Sequence, residues 1–129
     1  MALIFKNPKG VPEPAANYRH TAIIPSNKQL LILAGQIGNE QDGTLLGNVE
    51  EQYDQALKNT IDIVISEIGQ SGDIARISIF LVDKPDGSRI CESNNKYFPS
   101  GPPAISWLYV AGLFRPDVKV EIEGIAAVN

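Results

Sequence analysis

The side chains in this sequence able to carry chemistry are few, and several occur once. There is one histidine, one cysteine and one tryptophan among 129 residues. His20 could shuttle a proton near neutral pH, and its neighbour Arg19 could hold an anion. Strand alternation sends these two to opposite sides, so at most one enters a common cleft, and a solvated position is the simpler reading of each. Cys91 becomes a nucleophile only with a depressed pKa and a nearby base; packing inside a short helix is its simpler reading. Arg115, in a loop before the last strand, has the reach of a substitute cation, although an exposed charge accounts for it more simply. Tyr18 could bond a ligand, or cap a hairpin with its hydroxyl in water. Trp107 and Tyr109 share a strand face with Ile105, because their spacing is two. That face is either interface packing or a flat apolar wall suited to a planar or cyclic ligand. Glu121 is either a carboxylate usable as acid or base in an enclosed cleft, or a solvated strand residue.

The elements that must position these residues are legible to different degrees. From Asn48 to Gln70, Val49, Tyr53, Ala56, Leu57, Thr60, Ile61, Val64, Ile65 and Ile68 recur at helical spacing as one largely apolar stripe, while Glu50, Gln52, Asp54, Lys58 and Asp62 occupy much of the rest. Asn48 reads as the N-cap with Glu51 bonding back to it, and Gly69 as a left-handed C-terminal stop. Before this helix, His20–Ile24 and Gln29–Ala34 flank a Pro-Ser-Asn turn and read as a hairpin. Ile74–Val82 reads as a strand covered on both faces, followed by a weak helix over about 88–98 and a strand at Ala104–Ala111. In the last strand Val118, Val120 and Ile122 share one face, and Lys119, Glu121 and Glu123 the other. This order predicts an α+β domain over residues 1–129, with a sheet and helices packed on one face. The opposite face, with Glu121 on it, must meet water or another subunit.

Composition narrows the function classes. Hydrophobic residues make up 43% and charged residues 20%, the balance of a packed globular domain rather than a disordered chain. A formal charge of -4 gives no footprint for counterion release on nucleic acid, so no nucleic-acid partner is expected. A single cysteine forms no intrachain disulfide, and the scarcity of His and Cys makes a structural zinc site improbable; no cofactor is expected. Residues 1–5 are too short an apolar run for a signal segment, and no long apolar stretch follows, so the reading expects a cytoplasmic protein without a membrane partner. Gly35-Gln36-Ile37-Gly38 is not a phosphate loop, because no Lys-Ser/Thr and no helix follow it.

The order of local motifs resembles the reactive-intermediate deaminase (Rid, or YjgF) family over nearly the whole chain. The matching pieces are Tyr18, Ala-Gly-Gln-Ile-Gly at 34–38, Asp42-Gly43, Glu-Gln-x-x-Gln-Ala-Leu-x-Asn at 51–59, Gly72-Asp73-Ile74, Pro103-Ala104 and Val-Glu-Ile-Glu-Gly-Ile-Ala at 120–126. The resemblance implies a chorismate-mutase-like fold, a homotrimer, and a small-molecule ligand held in clefts between subunits. It also implies hydrolysis of enamine or imine acids to keto acids and ammonia. In deaminating members an Arg after Pro-Ala forks onto the substrate carboxylate, and a Glu on the last strand positions the attacking water. Tyr18, Gly35, Gln36, Ser106 and Glu121 stand at matching positions, with Ala34 where a Ser is usual. Ile105 replaces the Arg, Trp107 replaces a smaller residue, and either Cys91 or Asn94 occupies the site Asn position. The implied activity is therefore a deaminase-type hydrolysis without the Arg clamp, or else metabolite binding without turnover.

Overall fold

The computed structural model describes residues 2–129. In chain order its elements are β1 (Ile4–Lys6), β2 (Thr21–Ile23), β3 (Gln29–Ile37), α1 (Val49–Ser66), β4 (Ile74–Leu81), α2 (Gly87–Tyr97), β5 (Ala104–Tyr109) and β6 (Val120–Val128). Four strands form one sheet in the order β3-β6-β4-β5. The β3/β6 and β6/β4 pairs are antiparallel, and β4/β5 is parallel, with α2 as the crossover that a parallel pair requires. The α+β reading therefore holds.

The core lies between this sheet and α1. Tyr53, Ala56, Leu57 and Val64 of the helix and Ile77, Ile79, Val120 and Ile122 of the strands are all 0% exposed. Asn48 caps α1, its Oδ1 accepting from the backbone N–H of Glu51 at 2.8 Å. Glu51 answers at the Asn48 side chain, Oε1 accepting from Nδ2, and not at the Asn48 backbone as a full capping box would. Gln52, read from sequence as part of the polar side of the helix, is in fact 1% exposed. Its Nε2 donates to the carbonyls of Leu46 (2.8 Å) and Asp117 (3.0 Å), and its Oε1 accepts from the Lys119 N–H (2.8 Å). Those three bonds satisfy the amide and pin the start of β6 against α1.

Three further expectations change. The His20–Ile24 and Gln29–Ala34 segments do not form a hairpin: β2 pairs with β1, Phe5 opposite Ala22, and β3 pairs with β6. Nine-residue β3 finds in nine-residue β6 a far longer ladder than three-residue β2 offers. The β1–β2 ribbon instead covers one end of the sheet face turned away from the helices, where Leu3, Ala75 and Ala127 are buried together with Phe5, Ala22 and Ile24 against them. Arg19 holds the ribbon there, its Nε donating to the Pro102 carbonyl (2.6 Å) and its guanidinium lying 4.0 Å from the centre of the Phe5 ring. The second change concerns β4, which beyond Ala75 is fully covered on one face only, since Arg76 is exposed and Ser78 and Phe80 are half-buried on the other.

The third concerns the end of α1. The left-handed residue is Ile68, with φ 62°, and not Gly69. The Ile68 N–H donates to the Ile65 carbonyl (3.0 Å) and the Gly69 N–H to the Val64 carbonyl (2.9 Å), the two bonds of a Schellman turn. Glycine is needed one residue later for space: a Cβ on Gly69 would lie 2.7 Å from Val64 Cγ1. A β-branched residue in the left-handed region is strained by about 1–2 kcal/mol, and Ile68 is 97% exposed with little packing to offset that. Ile68→Gly should therefore stabilise the fold by roughly 1 kcal/mol, read as a higher denaturant midpoint at unchanged slope.

Candidate functional site

Glu121 stands on the sheet face turned away from the helices, as the alternation of β6 demands: Val120 and Ile122 are buried on the helix side and Glu121 is half-buried on the other. Across the sheet its row holds Ile37 on β3, Phe80 on β4 and Leu108 on β5. The carboxylate thus rises from an apolar row. A β-bulge in β3 makes room for it. Between the pairs Leu33↔Gly124 and Gln36↔Ile122, β3 carries one residue more than β6. The bulge places Gly35 under the Glu121 side chain, so close that a Cβ there would lie 2.0 Å from Oε2. Glycine at 35 is a condition for where the carboxylate lies.

The same bulge separates two residues adjacent in sequence. Gln36 pairs with Ile122 and so turns to the helix side, where it joins Gln55, Lys58 and Asn59 in a polar groove beside α1. Gly35 and Gln36, read together from the motif, serve opposite faces.

On the helix side a cavity of about 320 Å³ opens between α2 and the edge strand β5. Trp107, Tyr109, Ile90, Cys91 and Asn94 line it, with Ala16 and Asn17 from the segment before β2. Trp107 stacks on buried Tyr53, ring centres 5.7 Å apart at 19°. Its Nε1 is buried without a hydrogen-bond partner among the described residues. The Tyr53 hydroxyl donates to Asn94 Oδ1, which ties α1 to α2 behind the cavity. Cys91, read as packed inside the helix, is exposed: the α2 register turns Ile90 and Asn94 inward and leaves Cys91 at the rim. Both candidates for the site Asn thus border one cavity, and only Asn94 is buried.

The remaining sequence-selected residues are dispersed. Ile105 is 7% exposed and belongs to the core, directly beside Ile77. Ser106 lies on the Glu121 side of the sheet, its Oγ accepting from Arg76 Nη2 at 2.9 Å. Arg76 is a cation on that face that the sequence reading passed over; its alternation with Ile77 and Ile79 was the available signal. Tyr18 is half-buried against the core, its hydroxyl accepting from the Ala15 N–H (3.3 Å) and its ring edge-on to His20. His20 Nε2 donates to the Pro12 carbonyl (2.7 Å). Arg115 is paired with Asp117 (3.0 Å) in the β5–β6 loop, away from both Glu121 and the Trp107 cavity.

Burial raises the Tyr53 hydroxyl well above its ordinary value of 10.0; the Asn94 bond opposes the shift and the Asp54 charge adds to it. The native state therefore keeps this proton where the unfolded chain would lose it. The resulting stability is fully present below about pH 10 and is lost as pH rises beyond it. Tyr53→Phe should cost about 1–3 kcal/mol at pH 7, because Asn94 Oδ1 loses its donor. It should also flatten the loss of stability above pH 10, both effects measured as denaturant midpoints across the pH range.

The family described as Endoribonuclease L-PSP matches residues 9–128. The chain is 31% identical over 115 residues to the 2-iminobutanoate/2-iminopropanoate deaminase of Mus musculus, covering 88% of this chain and 84% of that one. The crystal structure of the YjgF gene product from E. coli superimposes with a TM-score of 0.70 at 28% identity, over 95% of this chain and 97% of that one. A Rid-family protein of unknown function from Yersinia pestis shares the fold with a TM-score of 0.86 at 21% identity, over 99% and 100% of the two chains. The matched residues span the bulge under Glu121, both helices and the cavity beside Trp107, and the chain belongs to the Rid/YjgF/L-PSP family.

Proposed function

We propose that this protein is a small-molecule hydrolase of the deaminase type. It acts on an enamine, imine or related C–N substrate in a cleft that a second copy of the chain completes. The observation that carries the reading is the Glu121 carboxylate, seated over Gly35 on an otherwise apolar row. A carboxylate so placed can take a proton from water as the oxygen attacks the C=N carbon. The carboxylic acid returns that proton to the nitrogen, giving a neutral carbinolamine. As this collapses, the hydroxyl proton passes by way of the same carboxylate to the nitrogen, the C–N bond breaks, ammonia leaves, a carbonyl remains and Glu121 is again ionised. The imine deaminases among the relatives support this class of reaction.

A homotrimer with its cleft between subunits is the assembly we propose. Leu30, Ile32 and Leu108 are 59%, 68% and 43% exposed on the Glu121 side of the sheet, an apolar surface suited to burial against another copy. Within one chain the sheet stands between Glu121 and the Trp107 cavity. A ligand that uses both must draw them from different subunits.

Substrate selection differs from that implied by an Arg clamp, since Ile105 is a core residue and offers no bidentate donor. That same substitution, with the apolar wall of Trp107, favours a second reading: a metabolite-binding protein without turnover. Endoribonuclease action has less support, because a chain of net charge -4 presents no basic, aromatic-studded strand face.

Imines generated in situ from a panel of amino acids, with ammonia and carbonyl product followed, separate the readings. Hydrolysis above background is expected, and Glu121→Ala should lower it by roughly 10²–10⁴-fold. Gly35→Ala should lower it too, by displacing the carboxylate, while the thermal midpoint changes little. No rate above background, or full activity in Glu121→Ala, overturns the hydrolase reading.

A further inference from the structure

We infer that the cavity between α2 and β5 takes the flat, uncharged end of a ligand, an aromatic or cyclic group carrying one hydrogen-bond acceptor directed at Asn94. This deepens the proposed function, on which it rests in taking this cavity as the place where the substrate body lies.

Shape and chemistry both contribute. The walls are Trp107 and Ile90, with Pro85 and Tyr109 towards the mouth, and the volume of about 320 Å³ is that of a small ring compound's pocket. Trp107 cannot swing away, because its ring is stacked on Tyr53, which is 0% exposed. The wall is therefore rigid and planar, and a planar group covers it best.

One buried polar side chain specifies the ligand, since Asn17, Lys84, Cys91 and Tyr109 of the lining are all exposed. Asn94 is 2% exposed and lines the cavity. Its Oδ1 receives the proton of the buried Tyr53 hydroxyl, which orients the amide. Nδ2 has no hydrogen-bond partner among the described residues and is not fully buried, and since Asn94 lines the cavity we take this N–H to be the group it offers there. An N–H donor on an apolar wall selects for a carbonyl or similar acceptor, because a ligand that covers it and leaves it unpaired pays the loss of its water.

Charge is excluded on the same grounds. Among the described residues of one chain Lys84 is the one ionic residue lining the cavity, and it is exposed, while the Glu121 that a second copy would bring is itself an anion. A single solvated ammonium on a flexible stem contributes little to holding an anion. A carboxylate pressed against Trp107 and Ile90 would lose its hydration without a buried cation to replace it. The ligand end that enters is neutral.

Trp107 is the only tryptophan, so the intrinsic fluorescence of the intact protein reports on this cavity alone. Titration with benzamide, a neutral ring with a carbonyl acceptor, should give a saturable change. Benzoate and toluene, the same ring with a charge or without an acceptor, should bind at least about tenfold more weakly, and 2-oxobutanoate should give no saturable change. Cys91→Phe, at the exposed rim, should weaken benzamide by about tenfold while circular dichroism stays unchanged. The inference is overturned if benzamide gives no saturable change, if benzoate, toluene or 2-oxobutanoate binds as tightly, or if Cys91→Phe binds benzamide as the native protein does. Loss of the ligand class with Glu121-dependent hydrolysis intact removes this inference alone. Benzamide binding without turnover of any imine removes the hydrolase reading and leaves the cavity's specificity standing.

Discussion

A side chain on a β-strand can occupy only one of the two faces of the sheet, and most of what this molecule does follows from that constraint. The four strands have a single helical layer on one side. Every second residue of β4 and β6 is therefore driven into the core, and the residues between are turned outward. Glu121 and Trp107 both lie where ligand chemistry is expected, yet they stand on opposite faces because one precedes core residue Ile122 and the other shares parity with core residue Ile105. No rotamer brings them together across the sheet. The division makes a ligand site built from more than one copy a geometric requirement for using both.

Two local devices modify the regular sheet at these positions. The β-bulge at 34–35 resets the parity of β3, which removes Gln36 from the Glu121 face and leaves Gly35 as bare backbone beneath the carboxylate. The second device is Tyr53, which reaches from α1 to touch both a strand and the second helix, stacking on Trp107 and bonding to Asn94. A fully buried ring with a satisfied hydroxyl holds two cavity walls in fixed relation. Because Tyr53 occupies Asn94 Oδ1, it also decides which atom of that amide faces the cavity.

The buried amide of Gln52 has a comparable structural role without facing a ligand. It satisfies three backbone groups that would otherwise be left open, one at Leu46 in the loop before α1 and two at Asp117 and Lys119 in the loop before β6. Gly38 permits this by allowing the chain to approach the Gln52 backbone, where a Cβ would meet Gln52 Cα at 2.3 Å. Position 52 is polar in type and interior in place, so periodicity alone assigned it to the wrong side of the helix.

What the sequence by itself determined were the features governed by neighbours a few residues away. The span of α1, the Asn48 cap, the outward turn of Glu121 and the common face of Ile105, Trp107 and Tyr109 all follow from local repeat and chirality. The order of short motifs carried the family. Tertiary structure alone decided the features that depend on which distant segment arrives. β3 left β2 for the longer ladder of β6, β1 became a strand only as the partner of β2, and Ile68 took the left-handed position of the Schellman turn while Gly69 took the crowded one after it. Cys91 came to the rim and Asn94 to the interior because α2 docks through Ile90 and Tyr53. Local spacing constrains the direction of a side chain; only packing against remote residues fixes what it meets.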